Sequence, residues 1–345
     1  MKRMTSLERV LTTLGHQEPD RIPVFLLLTM HGAKELGMSI EEYFSKGSQV
    51  AEGQLRMREK FGHDCYYPFF YASIETQAMG GKVIFRPDGP PNAGEPILQP
   101  STISRFQPPK VEDSPQLIEV LESIRLIKER DATAPIIAVA ISPFSLPVMQ
   151  MGFENFIDLI MEDRSMFWEL MEKNIAFSTD WANAQLAAGA TAICYFDPVS
   201  SPTVIPRELF LETGYPIAQR MVKAINGPMA AHLASGRSQE IALDFSGIGA
   251  AVLGASMDDN LVELKEACRG QMTILGALNG VAMRGWDQKT TEQEVQACIQ
   301  KAGSGGGFIL SDNHGEIPWQ VPDEVLHHIV RAAEKWGRYP LKGVT

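Results

Sequence analysis

Ala231-His232-Leu233-Ala234-Ser235-Gly236, Ser256-Met257-Asp258-Asp259 and Leu310-Ser311-Asp312-Asn313-His314-Gly315 are three short pieces of one stretch, residues 228–317. Each follows an apolar run with the character of a buried strand, at 228–231, 249–253 and 307–310. Each also puts an imidazole or a carboxylate where its run ends. In a sheet or barrel of parallel strands the carboxyl ends lie together, so these groups are expected to meet in one place.

Working outward, the same rhythm continues in both directions. Apolar runs at 135–141, 191–197 and 272–276 alternate with amphipathic stretches at 115–129, 153–161, 165–188, 206–225, 238–245, 261–268, 291–302 and 322–336. Upstream, Thr5-Ser6-Leu7-Glu8 is a capping box ahead of Leu7, Val10, Leu11 and Leu14 at helical spacing, so the chain opens with a helix. The run at 22–28 reads as the first strand, a helix over 39–61 follows, and the ring-dense 65–70 run reads as the second strand, short and interrupted by Pro68. A hairpin near Lys82 to Arg86 lies in an insertion, 72–112. Eight β/α units in one domain over residues 1–345 predict an α/β fold, a (β/α)8 barrel with an N-terminal helix and an insertion after its second strand. The Gly303-Ser304-Gly305-Gly306-Gly307 run precedes a strand rather than a helix, which makes it a turn and not a phosphate cradle.

Composition narrows the function. With 345 residues and 44% apolar side chains the chain can bury a large core. Its 31 basic and 42 acidic residues give a net charge of −11 with no basic cluster, which argues against nucleic acid as a partner. No apolar run approaches the length of a membrane span and no signal region precedes the first helix, so a cytoplasmic protein is expected. Cys65, Cys194, Cys268 and Cys298 lack CxxC spacing and read as buried free thiols.

At the strand ends the expected site holds His31, the rings Tyr66, Tyr67, Phe70 and Tyr71, then Asp197, His232, Asp258 or Asp259, Asn279, and Asp312 with His314. The aromatic group suits a flat or methoxylated ligand, or equally a wall of the barrel. His232, His314 and Asp258 are a sufficient set for a divalent metal with an open position. They are also sufficient for metal-free proton transfer by a histidine held by a carboxylate, with Asp197 and His31 as further catalytic candidates. His16, His63, His327 and His328 read as structural or exposed.

The sequence resembles the uroporphyrinogen decarboxylase superfamily, which includes the cobalamin-dependent methyltransferases of the methylcobamide:coenzyme M type. The resemblance covers almost the whole chain. It is carried by the opening helix with Pro19-Asp20-Arg21-Ile22-Pro23-Val24, by Phe196-Asp197-Pro198-Val199-Ser200-Ser201, His232, Asp258-Asp259, Gly276-Ala277-Leu278-Asn279, and Gly315-Glu316-Ile317-Pro318. Membership implies a (β/α)8 barrel with its site at the carboxyl ends. The decarboxylase carries Arg-Gln-Ala-Gly-Arg after its first strand and an aspartate after its second. Here the two regions read Leu28-Thr29-Met30-His31-Gly32 and Phe70-Tyr71-Ala72-Ser73, without those substrate clamps. The methyltransferases hold zinc through His-x-Cys and a later Cys-Gly; His232 matches, Ala234 replaces the first cysteine, and His314 stands where the second would fall. The resemblance therefore implies methyl transfer between a small donor (a methyl ether or amine) or a thiol and cobalamin carried by a corrinoid protein, assisted by zinc on a nitrogen/oxygen ligand set. A decarboxylase or lyase acting on a carboxylated substrate is the alternative, and a non-catalytic ligand-binding homologue the third. A monomer or homodimer is expected.

Overall fold

The computed structural model describes residues 4–341. Its centre is a six-stranded, wholly parallel sheet whose strands follow one another in chain order. A separate antiparallel hairpin, β1 (Val83–Arg86) and β2 (Gly89–Ala93), lies in the expected insertion. The main strands are β3 (Ile137–Ile141), β4 (Ala192–Phe196), β5 (Met229–His232), β6 (Val252–Gly254), β7 (Thr273–Leu278) and β8 (Phe308–Asp312). Helices such as Arg164–Ala188 and Gln288–Ala302 connect them, as parallel pairing requires. This α/β arrangement is consistent with a (β/α)8 barrel.

The runs expected as the first two strands are extended but form no regular ladder. Val24 makes one parallel bridge to Leu310 of β8, and Tyr66 makes one to Ile136 beside β3. Proline explains part of this: Pro23 and Pro68 have no N–H to give to a neighbour. Side chains then do what backbone does elsewhere. Gln54 donates from Nε2 to the Leu28 and Tyr67 carbonyls (2.7 and 2.9 Å) and accepts the Tyr67 N–H at 2.9 Å, joining the two runs. On the outer edge of β3 the Val139 carbonyl accepts from Gln185 (2.9 Å) and the Ile141 N–H donates to Glu75 (2.8 Å). No buried strand edge is left unsatisfied at those positions.

Two apolar clusters follow from the alternation of side chains along strands. The larger packs helices against the outside of the sheet. The smaller gathers Phe25 and Leu27, Cys65 and Tyr67, Val139, Cys194, Leu275 and Ile309, with Val10 of the opening helix Ser6–Leu14 against it. That helix carries the expected capping box between Thr5 and Glu8. The stretch expected as one helix over 39–61 is divided into Ile40–Tyr43 and Gly47–Phe61, and the one over 206–225 into Arg207–Glu212 and Gly214–Ala224. Among the described residues no helix is long and apolar enough to cross a membrane.

Candidate active site

His232 is the last residue of β5 and is 2% exposed. Its ring is held on several sides. Phe196, the last residue of β4, stacks on it at 5.7 Å and 23°. A Cβ on Gly254 would lie 2.8 Å from its Cδ2, and one on Gly315 would lie 3.1 Å from its Cε1. Gly315 also has φ +87°, so both its backbone and its neighbours demand glycine. The N–H of Ala234 donates to His232 Nδ1 at 3.1 Å. Nδ1 is therefore the acceptor and Nε2 carries the hydrogen of the neutral ring. Burial, with His314 adding to it, lowers the imidazole to about 4, so the ring is neutral at ordinary pH. Nε2 has no hydrogen-bond partner among the described residues. Ala234 adopts φ +52°, a left-handed conformation uncommon for a residue with a Cβ, and its N–H fixes the histidine's tautomer.

His314, two residues past β8, is exposed, and its Nδ1 bonds Ser235 of the loop after β5. Asp312 ends β8 and is buried; its Oδ2 accepts the N–H groups of His314 (2.8 Å) and Gly315 (2.9 Å), whereas Oδ1 has no partner among the described residues. Burial pushes its carboxyl up against the pull of those N–H groups. Glu316, half-buried, accepts from the Thr29 hydroxyl, and loss of solvent, with Asp312 adding, pushes it up to about 7. Tyr67 is buried with its hydroxyl unpartnered, and burial raises it well above the usual phenol range, with Cys194, Glu316 and Asp312 contributing. Tyr67, Glu316, Asp312, His314 and His232 thus form a run of mutually interacting groups across the strand ends. Among the described residues no arginine or lysine shifts His232, Asp312 or Glu316.

Other residues expected at the site have different surroundings. Asp197 is fully buried, with its carboxylate taken by the hydroxyls of Ser142, Ser145 and Ser200; burial raises its pKa and the serines oppose it. It holds the loops after β3 and β4 together. Asp259 does the same for later loops, accepting from Ser238 Oγ (2.7 Å), the Ser256 N–H (2.9 Å) and the Gln239 N–H (3.2 Å), while Asp258 faces solvent. Asn279 closes its own turn, accepting the Ala282 N–H at 3.0 Å. His31 opens the helix His31–Leu36 and is buried 6.1 Å from Trp319; burial first, then Lys34, lowers it to about 3, and its charged neighbours are Lys34, Lys60 and Asp323 rather than the strand-end acids. Of the four expected rings only Tyr67 joins the inner cluster. Tyr66 points outward and donates to Asp131 (2.7 Å), Phe70 stacks on Phe44 (5.5 Å), and Tyr71 donates to Gln77 (2.7 Å). Phe69, absent from the expected set, packs on Tyr67 at 5.9 Å.

The expected metal trio does not form a ligand set. His232 and His314 adjoin, but Asp258 faces solvent, and among the described residues no group of three or more His, Cys, Asp or Glu stands close enough to hold an ion. The donors present among the described residues do not fit zinc.

An apolar cleft of about 300 Å³ opens beside Phe196, lined by Ile141, Met149, Phe153, Val199 and Val204. A narrower void of about 80 Å³ runs along the inner face from the opening helix to His232. The strand-end location, an oriented neutral imidazole and two carboxyls that burial pushes upward define a strand-end site suited to proton transfer. The chain matches the uroporphyrinogen decarboxylase (URO-D) family over residues 5–336 and belongs to it. It is 23% identical to a uroporphyrinogen decarboxylase of Idiomarina loihiensis, over 95% of this chain and 96% of that one. A methylated-thiol–coenzyme M methyltransferase of Methanosarcina mazei is 27% identical over 80% of this chain and 74% of its own. Among solved structures, a methyltransferase from Methanosarcina mazei superposes with a TM-score of 0.85 at 19% identity, covering 96% of this chain and 99% of that one; it supports the fold.

Proposed function

We propose that this chain is a methyltransferase that moves a methyl group between a small neutral donor, a methyl ether or amine, or a thiol, and a corrinoid carried by a partner protein. The reading includes closure of the sheet into a (β/α)8 barrel through the 22–28 and 65–70 runs, since one inner cluster draws on both runs and on β3, β4, β7 and β8. The observation that carries the function is His232: a buried, neutral, tautomer-fixed N–H donor that, among the described residues, has no partner and no cationic clamp and stands among acids and apolar surface. A polycarboxylate would meet Asp312 and Glu316 there. A neutral molecule with one heteroatom acceptor meets a donor instead.

The corrinoid, when bound, supplies the electron pair that accepts the methyl group. The chain's own residues do the rest. His232 Nε2–H orients the donor's heteroatom, and the apolar cleft beside Phe196 excludes water. When the bond from methyl carbon to heteroatom breaks, its electron pair stays on the heteroatom, which takes a proton from the Glu316–Asp312–His314 group. Val204, Met257 and Val281, in the loops after β4, β6 and β7, are 40%, 50% and 50% exposed, which suits a bulky partner seated over the strand ends.

The test is anaerobic incubation with a reduced corrinoid protein and a panel of methyl ethers, amines and thiols, followed by visible absorption. Turnover in the wild type and its loss in the H232A/H314A double variant are expected; wild-type rates in the double variant would sink the assignment. The decarboxylase reading has its own support in the relative that spans 95% of the chain. Release of carbon dioxide from a carboxylated tetrapyrrole, with no methyl transfer, would establish it.

A further inference from the structure

Glu75 lies against the outer edge of β3, in the five-residue helix Ile74–Ala78, and is 1% exposed. Its Oε1 accepts the N–H of Ile141, the last residue of β3, at 2.8 Å, and its Oε2 has no partner among the described residues. Other buried carboxyls of the chain are surrounded quite differently: Asp64 accepts from Arg9 and Arg21, and Asp197 from three serine hydroxyls. Glu75 receives a single N–H. Ser73 and Thr76, on either side of it, are buried with hydroxyls that reach no partner among the described residues.

Nothing nearby compensates a charge on this carboxyl. Trp181 of the helix Arg164–Ala188 faces it with its indole N–H without completing a hydrogen bond. Among the described residues no charged side chain of β3, of that helix or of the helix Pro115–Arg130 packed beside it acts on Glu75. An ionised carboxyl here would be buried and unpaired, so the proton stays on. Burial raises the group to about 8, against the pull of the Ile141 N–H and Trp181.

What Glu75 holds leads to the strand ends. Ile141 is paired in register with Phe196 of β4, and Phe196 stacks on His232. Ile141 and Ala72, three residues before Glu75, also line the apolar cleft beside Phe196. The helix that carries Glu75 is short and is followed by Gly80 at φ +97°, so it gives way more readily than the sheet does. We propose that Glu75 is a positioning residue for the strand-end site and a proton-dependent latch on β3. Neutral, it ties the carboxyl end of β3 to its own helix. Ionised, with the proton passed to solvent, it draws that helix toward water and frees Ile141, which loosens the Phe196–His232 stack. The inference rests on no substrate and holds for either reaction considered above.

The experiment follows two signals between about pH 6 and about pH 10, in the wild type and in Glu75→Gln, which keeps an acceptor for Ile141 and cannot ionise. One is the fluorescence of Trp181, taken as the difference from Trp181→Phe. The other is the His232 Cε1–H resonance, assigned by its loss in His232→Gln. His232 titrates at about 4 and is neutral throughout this range, so its resonance reports the stack, and Glu316 titrates at about 7 in both proteins. Expected is a further step at about 8 in both signals of the wild type, absent from both in Glu75→Gln. A wild type without that step, a step that persists in Glu75→Gln, or a fluorescence step with no counterpart at His232 overturns the latch. Should Glu75→Gln fail to fold, hydrogen exchange of the wild-type Ile141 amide decides. A fall of about tenfold or more in its protection factor from about pH 7 to about pH 9 supports the latch, and unchanged protection overturns it.

Discussion

The chain buries charged and polar groups at two ends of the same sheet, and treats them in opposite ways. Near the opening helix, Asp64 is fully buried yet accepts from Arg9 (2.7 Å), Arg21 (2.6 Å), Ser6 (2.8 Å) and the Val24 N–H (2.8 Å), while Arg9 also pairs with Asp20 (2.6 Å). At the strand ends, Tyr67 OH, His232 Nε2, Ser311 Oγ and Asp312 Oδ1 have no partners among the described residues. At the first end the Asp64 carboxylate is fully partnered and fixes the helix to the sheet. The other leaves donors and acceptors available for something that is not protein. Burial alone therefore says little about role; Asp64 and His232 are both buried, and what sets them apart is the partners each has.

The largest effect that would break this contrast is Asp64→Ala. It leaves two guanidinium groups without their buried counter-charge and should cost about 3–5 kcal/mol in urea unfolding. A loss below ~1 kcal/mol would mean the network is ornamental. The pH dependence has a definite sign. Burial pulls the Asp64 carboxyl up, but Arg21 and Arg9 outweigh it and hold it below the usual range. Its contribution is therefore present above the unfolded carboxylate pKa and is lost as pH falls through the folded one.

Next is Gly315→Ala. Its φ of +87° and a Cβ 2.9 Å from Phe196 Cε2 should cost ~1–2 kcal/mol and displace the His232 ring. Turnover should fall by about 10²-fold. Gly37→Ala is the control: φ is +66° but nothing lies within 4 Å, so stability should fall similarly with turnover intact. Equal turnover in both variants would detach Gly315 from the site.

Adjacent tyrosines sharpen the contrast further. Tyr66→Phe removes a bond to Asp131 and should lose ~1 kcal/mol with turnover unchanged, whereas Tyr67→Phe removes an unpartnered hydroxyl and should keep its melting temperature while losing turnover. The reverse pattern would exchange their roles. The smallest effect is Glu316→Gln. A carboxyl raised to about 7 favours folding less as pH climbs from its unfolded pKa to the folded one. The variant should therefore be more stable than the wild type at pH 8, by up to ~1 kcal/mol after discounting for its partial exposure, and equal to it near pH 4. Calorimetry at the two pH values checks this.

These residues also show what the sequence could and could not reveal. The strand–helix rhythm was legible because apolar runs and amphipathic helices have different periods, and His232, Asp312 and His314 do lie where their runs end. The weak pairing of the first two strands was foreshadowed by Pro68, but Gln54, Gln185 and Glu75 acting as substitute strand edges depend on tertiary placement. Period-2 alternation separates Tyr66 from Tyr67, yet it does not say which of them faces inward. Asp197 and Asp258 show the same limit. A carboxylate at a strand end looks reactive in one dimension, and only the serines of Ser142, Ser145 and Ser200, drawn from two loops, reveal that Asp197 is a brace. Glu316 has a signal in the sequence, an acid between Gly315 and Ile317 beside a strand end, but its enclosure by Thr29 depends on tertiary placement.

The four cysteines offer a use of their own. All are buried and unpaired, with thiols raised by burial, Cys194 to about 12 and Cys268 to about 11. In the native protein they should be silent toward thiol-labelling reagents, since the attacking thiolate is scarce and hidden. Cys65 and Cys194 belong to the inner cluster, whereas Cys268 and Cys298 sit in the helical layer outside the sheet. The order in which labels arrive under mild denaturant would then chart which layer breathes first, giving the chain a built-in clock for its own opening.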